Sequence, residues 1–199
     1  SRIARKQGFA KKLTAQLIEK MFYAGLGNEI LEQGHDGALL PAMENKLAFT
    51  TDSFVVDPVF FPGGDIGDLA VNGTINDLLC CGAEPAYLSL AMILEEGFLL
   101  EDLWKIVCSI GKAAQKAGVK IVTGDTKVVE KGKGDGIYIN TTGIGRILPG
   151  LHIAPDRCKP GDVVLINGTI GDHGIAIMSA RKGIELSTDV VSDTCSLRA

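Results

Sequence analysis

Apolar residues recur along the chain in two patterns, and the alternation of these patterns predicts a mixed architecture. Spacings of three and four residues indicate amphipathic helices, whereas short apolar runs indicate buried strands. Helices are predicted over residues 10–26, from the turn at 61–64 to near Cys80, over 100–117, and from 171–174 to near Gly183. Strands are predicted over residues 47–51, 86–94, 119–122, 137–147 and 162–167. Strands that alternate with helices in this way form an α/β or α+β layer architecture.

The chain is predicted to hold one full domain and the beginning of another. Its 199 residues suffice for one domain with a complete core, or for one domain and part of a second. Residues 155–161 have the character of a linker, so we expect a first domain over 1–154 and a second region over 155–199. Because one strand and one helix cannot bury a core alone, the second region is expected to be the start of an incomplete domain.

Polar residues interrupt the apolar pattern most strongly between residues 50 and 85. Asp65, Asp68, Asn72 and Asn76 recur at offsets of three and four, so they share one face of the predicted helix. Asp52 follows the preceding predicted strand directly. Carboxylates and amides in this arrangement suit Mg²⁺ and the phosphates that it neutralises. The competing interpretation is a solvated helix surface, and for Asp65 a helix N-cap is favoured.

Polar residues at four places along the chain are candidate ligands for metal or nucleotide. Asp residues at the ends of strands lie in the crevice beyond a sheet, where open α/β folds commonly bind ligands. Two or three converging carboxylates could hold Mg²⁺ together with several waters. Each Asp alone is also compatible with a turn or a cap. The candidates are Asp36, Asp52, Asn76, Asp77, Gly124, Asp125 and Thr126.

Lys127 is the candidate for phosphate contact or proton handling, because it directly follows the Gly-Asp-Thr turn. A plain surface lysine is the alternative. His173 lies at a predicted helix start beside glycines, and His35 neighbours Asp36. No histidine pair has metal-ligand spacing, so zinc is disfavoured. The sequence contains neither a GxxxxGK[ST] loop nor a GxGxxG motif after a strand, so the P-loop and Rossmann binding modes are disfavoured as well.

Charge and cysteine content narrow the function classes. The net charge of −4 argues against nucleic acid as the main partner, since binding to phosphates requires a basic surface. The five cysteines are odd in number and lack metal-ligand spacing, which fits a reducing cytoplasm. Cys80 and Cys81 are predicted to be a buried pair. No secretory segment or membrane-length apolar run is found, so a cytoplasmic location without membrane association is expected.

Five segments together resemble the HypE family of hydrogenase-maturation carbamoyl dehydratases. They are TTDSFVVDPVFFPGGDIG, NGTINDLLCCGAEP, IVTGDTKVV, INTTGIG and GTIGDHGIAIMSAR. This family belongs to the superfamily that includes aminoimidazole ribonucleotide synthetase, selenophosphate synthetase and thiamine-monophosphate kinase. The resemblance implies an aminoimidazole ribonucleotide synthetase-like N-terminal domain that pairs with its copy in a homodimer, with the two sheets forming a barrel at the interface.

The resemblance also implies ATP and Mg²⁺ as cofactors, with Asp36, Asp52 and Asp77 as metal or phosphate ligands. In the family, ATP phosphorylates the oxygen of a carbamoyl group on a C-terminal cysteine, and elimination leaves a thiocyanate. The cyano group is then delivered to the iron of the [NiFe] centre. The implied partners are the carbamoyltransferase and iron scaffold proteins of hydrogenase maturation. Two alternatives stay open, namely a related ATP enzyme of the thiamine-monophosphate or selenophosphate type, and a non-catalytic dimerisation and docking module.

The sequence departs from the family pattern at both ends. Residues 5–10 read RKQGFA where family members have a His-Gly-x-Gly-Gly loop that contacts phosphate. Cys195 lies in the region that resembles the early second domain, so it is not assigned the role of the family's terminal cysteine. This chain alone is therefore expected not to complete the reaction.

Overall fold

The computed structural model describes residues 2–3, 15–33, 37–182 and 190–198. Helical turns over Ile18–Tyr23 and Ala24–Leu26 together form α1, and the longer helices are α2 (Ile66–Cys80), α3 (Leu100–Ala117) and α4 (Asp172–Lys182). The strands are β1 (Leu47–Phe54), β2 (Phe60–Phe61), β3 (Gly64–Asp65), β4 (Ala83–Glu95), β5 (Lys120–Val129) and β6 (Ile137–Ile147). Short 3₁₀ turns cover Leu31–Gln33 and Pro155–Arg157. This is the mixed α/β architecture that the sequence predicts.

Four strands form the main sheet in the order β1-β6-β4-β5. β6 pairs antiparallel with both β1 and β4, whereas β4 and β5 are parallel and are joined through α3. The register aligns Thr141 of β6 with Asp52 of β1 and with Leu90 of β4. Because opposed residues share a face of the sheet, this register decides which side each polar residue occupies.

Within the described ranges, the helices cover one face of the main sheet, and no helix packs on the other face. α2 packs on β1, β6 and β4, and α3 packs on α2. The helix-facing side chains of the sheet are fully buried, as Leu88, Leu94 and Ile139 show. On the opposite face Phe49 is 70% exposed and Ile93 is 42% exposed. The core therefore lies between the sheet and its helices, and the second face carries apolar side chains in contact with solvent.

α1 reaches the core through a close approach of backbones. A Cβ atom on Gly111 of α3 would lie 2.2 Å from the carbonyl oxygen of Gly25. A Cβ on Gly25 would in turn lie 2.6 Å from the Val107 side chain. Glycine at both positions lets α1 cross α3 at a separation that any larger residue prevents. The position of α1 over β5 follows from this contact.

Several predicted elements are confirmed. The helix over 100–117 is present and ends at Gly118, which adopts the left-handed conformation with φ 66°. The strand over 137–147 is confirmed, as are the helix that begins near His173 and the N-cap role of Asp65. The described part of the predicted 10–26 helix, residues 15–26, is helical.

Four predictions about local structure are wrong. β1 does not end at Asp52 but continues to Phe54, and β5 continues through Gly124 and Lys127 to Val129, so neither group lies in a loop. Both strands are longer than predicted because the backbone pairing of β1 with β6, and of β5 with β4, continues beyond the apolar run. Residues 162–167 form no strand, since they pair with no strand in the part of the chain that the structure describes and Val164 is 94% exposed. Cys80 and Cys81 are exposed at the end of α2 rather than buried.

The described part of the C-terminal region folds back onto the first core. Ile177 of α4 is buried within the main apolar cluster. His173, at the start of α4, packs edge-on against Phe61 with the ring centroids 5.1 Å apart. Residues 190–198 have no regular secondary structure and contact α2 through the bond from Asn76 Nδ2 to the Cys195 carbonyl oxygen. No helix within the described ranges is long and apolar enough to cross a membrane.

Candidate functional site

The predicted row of polar residues on α2 forms, but it is directed away from β1. Asp65 caps the helix, where its Oδ1 accepts from the N–H of Gly67 at 2.7 Å and of Asp68 at 3.0 Å. Asn72 is 5% exposed and donates from Nδ2 to Asp68 Oδ1 at 3.0 Å. Burial, followed by the charge of Asp65, raises the pKa of the half-buried Asp68. The first three members of the row therefore stabilise the helix and its packing.

Asn76, the fourth member, uses both ends of its side-chain amide on the C-terminal segment. Its Nδ2 donates to the carbonyl oxygen of Cys195 at 2.9 Å, and its Oδ1 accepts from the N–H of Leu197 at 2.9 Å. The side-chain amide of Asn76 is thus occupied by the C-terminal segment. To contact a nucleotide, as predicted, Asn76 would have to replace these two hydrogen bonds with bonds to the nucleotide.

A groove between α2 and β1 brings together two of the predicted metal ligands. Thr50 Oγ1 donates to Asp77 Oδ2 at 3.1 Å, which joins the strand to the last turn of the helix. Asp52 lies two residues further along the same side of β1, and its Oδ2 is 3.9 Å from the position that a Cβ on Gly73 would occupy. Gly73 and Asp77 are one helical turn apart. Asp52 and Asp77 therefore line the same groove, in which the Phe54 ring packs against Gly73, with its Cε1 2.8 Å from the position of that Cβ.

Asp52 and Asp77 offer a donor set that fits Mg²⁺. Carboxylate oxygens are preferred by this ion, and it commonly binds one or two of them and keeps several waters. Among the described residues, no three His, Cys, Asp or Glu side chains are grouped so that they could hold a metal. Asp36, the third predicted ligand, and His35 lie outside the described residues. Two carboxylates on neighbouring elements could suffice for an ion that keeps part of its water.

A second cleft lies at the opposite edge of the sheet, between β5 and α1. It has a volume of about 280 Å³ and is lined along β5 by Gly124, Asp125 and Thr126. Gly37, the first described residue after Asp36, lies on its rim. The other walls are mainly apolar and are formed by Ile18, Phe22, Tyr23, Leu26, Ile30, Leu31, Leu90, Met92 and Ile121. An apolar cleft with polar backbone at one side is the usual form of a small-molecule site.

Gly124 is required by the packing of β5 on β4. A Cβ atom at this position would lie 2.2 Å from the carbonyl oxygen of Leu90. The absence of a side chain also leaves the backbone of β5 accessible from the cleft. The same residue therefore fits the sheet and opens its edge to a ligand.

Asp125 and Lys127 form an ion pair on the uncovered face of the sheet. The register aligns them with Ala91 and Ile93, whereas Gly124 aligns with the buried Leu90. Lys127 Nζ lies 2.8 Å from Asp125 Oδ2, and both side chains are mostly exposed. This bond with Lys127 lowers the pKa of the Asp125 carboxyl. The catalytic candidate is thus an oriented cation beside a carboxylate that stays ionised.

The structure does not bring all the candidates into one place within a single chain. Asp52 lies on β1 and Gly124–Lys127 lie on β5, which are the two edges of the main sheet. Three interstrand spacings separate these edges, which corresponds to roughly 14 Å. The described candidates therefore form two groups. The carboxylate group is Asp52 and Asp77, and the cleft group is Gly124–Lys127 on β5.

Sequence reasoning missed two contributors to these groups. Thr50 was not a candidate, although the period of a strand puts it on the side of β1 that carries Asp52. Asn140 donates from Nδ2 to the Asp52 carbonyl oxygen at 2.8 Å and to Ser53 Oγ at 3.0 Å, and so holds β1 on β6. Only the long-range register reveals this second contact.

Comparison with known proteins identifies the family to which this chain belongs. Residues 34–147 match the family described as AIR synthase related protein, N-terminal domain. Carbamoyl dehydratase HypE of Azotobacter vinelandii is 52% identical over 190 residues, which cover 96% of this chain and 56% of that protein. The chain thus spans about half the length of the curated relatives that it matches.

Two solved structures carry the similarity to three dimensions. The hydrogenase maturation protein HypE in complex with ATP superposes with a TM-score of 0.93 at 49% identity, over 97% of this chain and 57% of that one. HypE in a HypE–HypF complex gives a TM-score of 0.75 at 55% identity, over 91% of this chain and 58% of that one. The predicted resemblance to HypE proteins is confirmed, and the chain belongs to the AIR synthase related protein family.

Proposed function

We propose that this chain forms the Mg-ATP-binding part of an ATP-dependent carbamoyl dehydratase of the HypE type. The observation that carries the proposal is the groove in which Asp77, oriented by Thr50, faces the β1 edge at Asp52. Support comes from relatives named carbamoyl dehydratase and from a HypE structure in complex with ATP. In this proposal the complete protein converts a carbamoyl group on a C-terminal cysteine into a thiocyanate, which supplies cyanide ligands for [NiFe] hydrogenase maturation.

The residues of the two groups would hold different parts of the nucleotide complex. Asp52 and Asp77, with Asp36, would hold Mg²⁺, and the β5 edge at Gly124, Asp125 and Thr126 would contact the nucleotide. Lys127 would contact phosphate or carry a proton, and its ion pair with Asp125 would fix its position. Bound Mg-ATP would supply the phosphoryl group that turns the carbamoyl oxygen into a leaving group.

A second copy of the chain is the proposed occupant of the uncovered sheet face. That face carries the exposed apolar residues Phe49 on β1 and Ile93 on β4, and Ile93 is aligned with Lys127 of the Asp125–Lys127 pair. Burial of this apolar surface would favour association, and pairing of two such sheets would close them into the barrel that the resemblance implies. The homodimer would also cover both edges, where the two candidate groups lie.

Three further points belong to the same proposal. We expect the carbamoyltransferase and iron scaffold proteins of hydrogenase maturation to be partners, in keeping with the HypE–HypF complex known for a relative. We expect the chain to divide into a first domain over 1–154 and the start of a second over 155–199. We also expect the protein to function in the cytoplasm, where its five free cysteines would stay reduced.

Thermal-shift titration with Mg-ATP tests the binding half of the proposal. The unchanged chain should show a Tm that keeps rising with the logarithm of the Mg-ATP concentration above Kd, because a ligand that binds only the folded state stabilises it. Asp77→Asn should lose most of this increase, since it removes one of the two described carboxylates. Asp156→Asn, which changes an exposed aspartate in a 3₁₀ turn, is the matched control and should behave like the unchanged chain.

Two results would contradict the proposal. One is the absence of any Mg-ATP stabilisation in the unchanged chain. The other is an equal stabilisation in the Asp77→Asn and unchanged chains, which would move the metal away from the groove.

A further inference from the structure

Asn76 on α2 makes two polar contacts with residues about 120 positions away in the sequence. The carbonyl of Cys195 and the N–H of Leu197 flank a single residue, Ser196. One primary amide can accept from such an N–H and donate to such a carbonyl at the same time. Asn76 therefore binds the backbone on both sides of Ser196.

The segment bound by Asn76 is fastened to the first core at both of its ends as well. At one end the N–H of Ser192 donates to the Pro62 carbonyl oxygen at 2.8 Å, just before α2 begins. At the other end the Arg198 guanidinium donates to the Ala117 carbonyl oxygen and lies 3.4 Å from Glu84. We call residues 192–198 the strap.

The strap has the length needed to follow the whole of α2. The 15 residues of α2 extend for roughly 22 Å, and seven extended residues cover about the same distance. The first end of the strap also meets α4, because Ser192 Oγ lies 2.9 Å from His173 Nδ1. The strap thus links the C-terminal region to the helix that carries Asp77.

We infer that Asn76 is a positioning residue, whose amide fastens the strap to the last turn of α2 and so fixes the neighbouring Asp77. Thr50 donates a hydrogen bond to Asp77, so the last turn of α2 is bound by β1 through Asp77 and by the strap through Asn76. The role of Asp77 as a metal ligand rests on the proposed function, whereas the fastening of the strap does not. This inference gives Asn76 a different role from the nucleotide contact expected from sequence.

Hydrogen exchange of the whole chain without nucleotide tests the fastening. Asn76→Ala should accelerate exchange of the peptide over residues 190–198 by roughly tenfold to a hundredfold, because it removes both hydrogen bonds of the amide. Alanine is the better helix former, so α2 should persist in this variant. Leu197→Pro removes the backbone N–H that donates to Asn76 Oδ1. This variant should accelerate exchange of the same peptide and leave α2 unchanged. Cys80→Ser, exposed one turn further along α2, is the control and should leave the exchange unchanged.

Mg-ATP titration of the same variants tests the positioning. In an isothermal titration followed by the heat of binding, Asn76→Ala and Leu197→Pro should both raise the Mg-ATP concentration at half-saturation several-fold. Unchanged exchange in both variants would overturn the fastening. Faster exchange with an unchanged half-saturation point in both variants would overturn the positioning, and so would weaker binding in Asn76→Ala alone, which identifies a direct nucleotide contact. Failure of the unchanged chain to bind Mg-ATP would refute the proposed function and the positioning, and leave the fastening supported by the exchange result.

Discussion

At the scale of single residues, neighbouring positions on α2 do different work because a helix turns by about 100° per residue. Asn76 faces the strap and Asp77 faces β1, although they are adjacent in sequence. Asp68 lies on the opposite side of α2 from Asp77, because nine residues turn the helix by about 900°. Its carboxylate accepts a hydrogen bond from the buried Asn72. The chemistry of a carboxylate on this helix is thus set by the element that it faces.

The pKa of Asp68 provides a prediction at this scale. Burial raises this pKa, so between the usual carboxyl range and the raised value the folded state binds more protons than the unfolded state. Stability contributed by this group is therefore present at low pH and is lost as the pH rises through that window. Asp68→Asn keeps an oxygen for the Asn72 donor and removes the ionisation, so its Tm should exceed that of the unchanged chain increasingly as the pH rises above about 4.

Thermal melts at a series of pH values measure this difference. Glu44→Gln, which changes an exposed carboxyl, is the control and should follow the unchanged chain at every pH. A difference in Tm between the Asp68→Asn and unchanged chains that stays constant from acid to neutral pH would show that ionisation of Asp68 does not oppose folding.

At the scale of elements, the cleft on β5 exists because α1 is placed by its crossing with α3. α1 supplies Ile18, Phe22 and Leu26 to the cleft wall. Its distance from the sheet is set by the glycine contact between Gly25 and Gly111 rather than by its own apolar pattern. A change at Gly111, which does not line the cleft, should therefore alter the cleft.

Gly111→Ala tests this dependence. The new Cβ would meet the Gly25 carbonyl oxygen, so α1 must move, and we expect a loss of about 1–3 kcal/mol in the free energy of unfolding. Urea denaturation measures the loss. Gly174→Ala in α4 has no atom within 4 Å of the new Cβ, so it should be neutral or slightly stabilising. Equal midpoints for the two variants would show that α1 does not depend on the glycine contact.

At the scale of the whole molecule, one sheet face is buried by helices and the other is left with apolar side chains in solvent. The exposed face joins both edges that carry candidate residues. A second copy on this face would convert two separate groups into one continuous site region. The oligomeric state is therefore the property of the whole molecule on which the proposed function depends.

Sedimentation of sheet-face variants tests the proposed homodimer. The unchanged chain should sediment as a dimer, and Phe49→Asp combined with Ile93→Asp should sediment as a monomer, because charges would replace exposed apolar contacts. Val163→Asp changes a residue that is 81% exposed but lies outside the sheet, and it should remain dimeric. A monomeric unchanged chain, or dissociation by Val163→Asp alone, would exclude this face as the interface.

The sequence by itself determined the elements whose signals are local. The apolar period of α3, the stop at Gly118, the cap at Asp65 and the run of β6 depend on neighbouring residues, and each is confirmed. The motifs were also sufficient to identify the family, because the residues that carry them are close together in the chain.

Only the tertiary structure decided where the polar residues of those elements point. Strand pairing extended β1 and β5 beyond their apolar runs, and the packing of α2 turned Asp77 toward Thr50 of β1 while it turned Asn76 toward the strap. The exposure of Cys80 and the missing strand at 162–167 follow from the same cause, since both depend on whether a partner surface is present. Local preferences are encoded residue by residue, whereas the direction of a side chain depends on contacts between residues far apart in sequence.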